Sequence, residues 1–121
     1  MQLADFDRFC SGLPHTTTVV QWGGAHVWKV GGKVFAIGWP EEKQPLAVTF
    51  KASPMSFDLL RDKPGVRPAP YLASRGMSWL QRTSAETMND ADLRAYLQES
   101  HRLVAAGLPK RLRLSLGVSV D

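Results

Sequence analysis

The apolar positions Leu3, Phe6, Phe9, Cys10 and Leu13 recur at steps of three and four, the stripe of an amphipathic helix that Gly12 and Pro14 close. Thr16 to Trp22 is rich in β-branched residues and stops at Gly23 and Gly24, which predicts a first strand and a turn. In AHVWKVGGKVFAIGW two β-prone runs flank Gly31 and Gly32, and a Gly-Gly pair supplies the positive φ of a two-residue type I′ hairpin turn. That turn would set Val30 opposite Lys33, Trp28 opposite Phe35 and His26 opposite Ile37, giving one bulky face. Val27, Lys29, Val34 and Ala36 form the lighter face, expected to turn toward solvent or a ligand.

Pro45 to Lys51 alternates and predicts the next strand, whose register decides whether Lys51 joins Lys29. Ser53 is a helix cap with Pro54 in the first turn and Phe57, Leu59 and Leu60 expected to point inward. Pro68 and Pro70 in GVRPAPYLA bias Arg67 and Ala69 to extended geometry, so this segment is expected to be a loop. A strand follows at Met77 to Thr83. Asn89 caps a last helix carrying Leu93, Tyr96, Leu97, Ser100, Leu103 and Val104, ended by Gly107 and Pro109. Beyond it, Leu112, Leu114, Leu116, Val118 and Val120 alternate with Arg111, Arg113, Ser115, Gly117 and Ser119. That period of two predicts a strand that pairs with an open edge or with a second subunit, the other reading being a frayed terminus.

The order of elements is α+β: a two-layer sandwich with an antiparallel sheet and the N- and C-terminal helices on one face. With 121 residues the chain is expected to be one domain, residues 1–111, plus a C-terminal extension, 112–121. Cys10 is the only cysteine, which excludes an intramolecular disulfide and fits a reducing cytoplasm. No apolar run is long enough to span a bilayer, and the acidic start is the reverse of a secretory leader, so a membrane role is not expected.

The net charge of +4 matters only if it is clustered. Residues 61–82 carry Arg61, Lys63, Arg67, Arg75 and Arg82 against Asp62, and residues 110–121 carry Lys110, Arg111 and Arg113 against Asp121. His15, His26 and His101 fall in a loop, a strand and a helix without metal-ligand spacing, so no metal or cofactor is expected. There is no G-x-S-x-G elbow, Cys10 lies on an apolar stripe, and the Gly31-Gly32-Lys33 run leads into a strand rather than a helix N-terminus. No catalytic residue is assigned, and the chain is expected not to be an enzyme.

WGGAHVWKVGGKVFAIG, then PGVRPAPYLASRGMSWLQ, then LRAYLQESHRLVAAGLPKR, in this order over residues 3–111, resemble the MmcQ/YjbR family of small bacterial proteins. The resemblance implies a CyaY-like fold and a DNA-binding role. The frataxin-like relatives of that fold bind iron through acidic residues on and after the first helix, where this chain has only Asp5 and Asp7. The expected function is therefore non-enzymatic DNA binding, with phosphates contacted by Lys29, Lys33, Lys51, Arg67, Arg75, Arg82, Lys110 and Arg111. The alternative is a protein-interaction or small-ligand module with no nucleic-acid role, as a monomer or a homodimer through the C-terminal strand.

Overall fold

Six antiparallel strands are joined in the order β1-β2-β3-β4-β6-β5. They are β1 (Thr16–Gln21), β2 (Ala25–Val30), β3 (Lys33–Trp39), β4 (Ala47–Lys51), β5 (Val66–Pro68) and β6 (Trp79–Arg82), with helices α1 (Leu3–Ser11), α2 (Pro54–Leu60), α3 (Asp90–Ala106) and α4 (Lys110–Leu116). The computed structural model describes residues 1–40, 45–70, 72 and 77–118.

Each main helix is there for a local reason. In α1 the Gln2 backbone N–H donates to Asp5 Oδ2 at 3.3 Å across the first turn, and Phe6 and Cys10 are buried. The Thr16 hydroxyl donates to the Cys10 and Leu13 carbonyls, 3.1 Å each, tying the end of α1 to β1. Ser53 caps α2 and Asn89 caps α3, as the sequence predicts. Leu59, however, is exposed; only Phe57 and Leu60 of α2 turn toward the core.

Phe6 and Cys10 of α1 and Leu93, Leu97 and Val104 of α3 join Trp28, Val30, Phe35, Val48, Phe50 and Leu80 of the sheet in one cluster, so the helices cover a single face. A smaller cluster of Ala25, Val27 and Ile37, with Val34 and Trp39 against it, lies on the other face.

The Gly-Gly turn forms as predicted, with φ of 55° at Gly31 and 84° at Gly32. Its facing pairs do not all follow. Val30 pairs with Lys33, but a bulge between Trp28 and Lys29 sets Trp28 opposite Ala36 and His26 opposite Gly38. Phe35 and Ala36 therefore both enter the helix-side core, and Ile37 moves to the far face beside Val27. The Phe35 carbonyl accepts from the Ser100 hydroxyl at 2.7 Å, and that oxygen accepts the Lys51 N–H at 2.8 Å, so α3 stitches the bulge to β4.

Two further expectations are corrected. Val66–Pro68, expected as loop, is the edge strand β5; the extended bias before proline suits a strand, and Pro68 stands where a missing N–H is tolerated. Residues 112–116, expected as the start of a C-terminal strand, are helical within α4. Leu112 and Leu116 are one helical turn apart, and Gly117, in left-handed conformation at φ 72°, closes α4 by donating to the Arg113 and Leu114 carbonyls. The Val118 N–H completes this cap on Arg113 at 2.9 Å. The strand proposed for dimerisation is thus absent from residues 110–116, and the rest of that alternation, Ser119 and Val120, lies outside the described residues.

Candidate nucleic-acid interface

The face of the sheet turned away from the helices is built by parity. Register aligns Val27, Ile37, Thr49, Gln81 and Arg67 in one row across β2, β3, β4, β6 and β5. Lys29 and Lys51 share this face, two residues along from Val27 and Thr49. The register the sequence left open therefore places both lysines together. Among charged residues the strands carry Lys29, Lys33, Lys51, Arg67 and Arg82 and no carboxylate. Asp5, Asp7, Asp58, Asp62, Glu86, Asp90, Asp92 and Glu99 all lie in helices or the connections flanking them, while Glu41, Glu42 and Asp121 lie outside the described residues.

Arg67 is the exposed member of this row, whose other residues are buried: Val27 0%, Ile37 5%, Thr49 2% and Gln81 4%. Its Nε and Nη2 donate to Gln81 Oε1 at 2.8 and 2.6 Å, and Gln81 Nε2 donates to Thr49 Oγ1 at 3.1 Å. The partner is a neutral amide, and no carboxylate among the described residues pairs with the guanidinium, whose planar fork suits contact with phosphate. Sequence reading missed Gln81 and Thr49; their signal was the alternation that puts Thr49 on the same face as Lys51, and Gln81 opposite Arg67.

Lys33 sits at the hairpin tip. A Cβ at Gly31 would come within 2.7 Å of Leu108 Cδ1 and 3.3 Å of Leu116 Cδ1, so this tip rests on the segment that carries Lys110 and Arg111. All three cations are exposed. They form a second group at one end of the molecule, and none of Lys29, Lys33, Lys51, Arg67, Lys110 and Arg111 is ion-paired with another described residue.

Arg82 does not belong to the surface. It occupies the helix-side face, 3% exposed, where Nε donates to the Met88 carbonyl and Nη2 to Asp90 Oδ1, 2.9 Å each. Asp90 also accepts from the Met1 ammonium at 3.0 Å. That hydrogen bond and the one from Arg82 hold its carboxyl below the usual range against the opposing effect of burial. Arg82 is a core tie, corrected from its predicted role in phosphate contact. Arg75 lies outside the described residues.

Two titratable groups, His26 and Cys10, lie away from this face. His26 Nδ1 meets Asp7 Oδ2 at 2.8 Å and the Trp28 indole donates to Asp7 Oδ1 at 2.9 Å, beside an open groove of about 370 Å³. An imidazole oriented by a carboxylate is two parts of a nucleophile-activating triad. The hydroxyls lining the groove are already committed, Ser11 to the Arg8 carbonyl at 2.9 Å and Thr18 to the Val27 carbonyl at 3.1 Å. The dyad ties α1 to β2. Burial, with the Asp7 carboxylate adding to it, pushes the Cys10 thiol far up, which keeps it an inert core group. No cluster of three or more His, Cys, Asp or Glu able to hold a metal occurs among the described residues.

The model of the YjbR family matches residues 11–103. The chain belongs to the YjbR family. Among solved structures, a Deinococcus radiodurans protein, DR2400, described by its family-model domain DUF419, superposes with a TM-score of 0.81 at 24% identity, covering 99% of this chain and 91% of its own. A Pseudomonas syringae protein gives 0.66 at 19% identity, over 85% of this chain and 98% of its own. Both likenesses concern the fold. No curated protein matches. YjbR membership thus agrees with the resemblance carried by VGGKVFA and RPAPYLA, and the α+β sandwich follows it. Among the described residues no helix is long and apolar enough to cross a membrane.

Proposed function

We propose that this YjbR-family chain is a non-enzymatic nucleic-acid-binding protein that holds DNA phosphates on the sheet face opposite its helices. One observation carries the reading: the strands bear only cations, and every described carboxylate sits on helices or their flanks. Such segregation leaves Lys29, Lys51 and Arg67 on one face without a described carboxylate among them, and a positive potential there would attract a polyanion from a distance and retain it by counterion release. Lys29, Lys51 and Arg67 are the central contacts, and Lys33, Lys110 and Arg111 extend them toward the hairpin tip.

Three phosphates engaged on duplex DNA would give a log K against log salt slope of about −3, and all six cations together about −5. Fluorescence anisotropy across a salt series is expected to return a slope in that interval. No binding at low salt, or a flat salt response, would overturn the proposal.

A further inference from the structure

Among the described residues the most exposed aromatic side chain is Trp22, 60% accessible, directly after β1. Its φ of 54° lies in the left-handed region, where a bulky residue is rarely found, and Gly23 and Gly24 follow at 78° and 118°. Burial does not account for this, because more than half of the indole remains in solvent. What the unusual backbone achieves is a stack. Trp22 lies on Trp39 with ring centroids 6.1 Å apart and planes 19° from parallel, and Trp39 rests on the Ala25, Val27 and Ile37 cluster.

That cluster belongs to the cationic face. Trp39 is level with Ala47, and Lys51 is four residues further along β4, so roughly 13 Å of strand separates the aromatic pair from the lysine. A rigid, backed indole beside a phosphate-binding surface is the arrangement that takes the flat face of an unpaired base. A duplex hides those faces within its own stack, and a single strand offers them.

We infer that Trp22, backed by Trp39, is a base-stacking platform and that the nucleic acid this face takes is single-stranded. The inference rests on the phosphate-binding reading above and adds the class of strand.

The test uses labelled oligothymidylate of about 16 nucleotides and a duplex of the same length, with the full chain, by anisotropy at low salt. The wild type is expected to prefer the single strand. Trp22→Ala should weaken oligothymidylate binding about tenfold, Trp22→Phe should keep most of it, and duplex binding should change by less than about twofold. Thermal melts followed by circular dichroism check that both variants fold. If Trp22→Ala leaves oligothymidylate affinity unchanged while Lys29→Gln with Lys51→Gln reduces it, stacking is refuted and phosphate binding stands. If neither nucleic acid binds the wild type, both proposals fall. If Trp22→Ala alters only the sedimentation of the protein, the patch is a self-interface and the platform is refuted.

Discussion

Arg67 and Arg82 carry the same charge and lie on adjacent edge-side strands, yet one faces outward on an amide and the other is sealed under α3. Their difference is parity. Trp79 and Gln81 point to the face opposite the helices, where they are 5% and 4% exposed, Leu80 and Arg82 point to the helices, and a count of charges along the sequence cannot see that alternation. Two predictions belong here. Asp90 joins the Met1 ammonium and the buried Arg82, so Asp90→Asn leaves Arg82 without its counter-charge. Because Asp90 is itself 45% exposed, solvent screens the loss, and about 1–2 kcal/mol is expected in urea titration. The depressed carboxyl also sets a sign. Its contribution is complete above the ordinary aspartate value of about 3.9 and disappears as pH falls through the lower folded value. Asp90→Asn should therefore flatten stability against pH in that acid range; an unchanged profile would contradict the tie. At Gly38 a Cβ would lie 2.7 Å from Phe6 Cε2, so Gly38→Ala should push α1 off the sheet and cost about 1–3 kcal/mol in the same assay.

At the scale of elements, those with explicit signals were legible: Ser53 before Pro54, Asn89 before an apolar stripe, Gly31-Gly32 between β-prone runs. The error in the tail arose where one pattern satisfies two structures. Leu112, Leu114 and Leu116 alternate as a strand would, but Leu112 and Leu116 also stand one turn apart, and the contact of Leu116 with Gly31 decides for the helix. Leu114, the residue that fits only the strand pattern, is left 64% exposed. The bulge was invisible because its support, Ser100, comes from another element 65 residues away. Positive Cα secondary shifts are expected over 110–116 by NMR, and strand-like shifts would contradict α4. Gly117→Ala meets no atom within 4 Å, so its cost is that of the left-handed backbone alone, roughly 1 kcal/mol in a thermal melt.

At the scale of the whole molecule, fold class was readable because most hydrophobic runs agreed with one layer of the sandwich, and the family because VGGKVFA and RPAPYLA carry its resemblance. The interface was half readable. The cations were identifiable by type, but which of them share a surface depends on register between strands distant in sequence, and that fixed Lys29, Lys51 and Arg67 together while removing Arg82. The exposed tryptophan was harder still: four tryptophans in a small domain predict core, and Trp28 and Trp79 obey while Trp22 does not. The most direct test of the central claim is the set of backbone amide signals that move when oligonucleotide is titrated into labelled protein. The account predicts movement across Lys29, Lys51 and Arg67 and the strands around them, with the acidic first turn of α3 unmoved. Shifts confined to α1 and α3, or none at low salt, would contradict it.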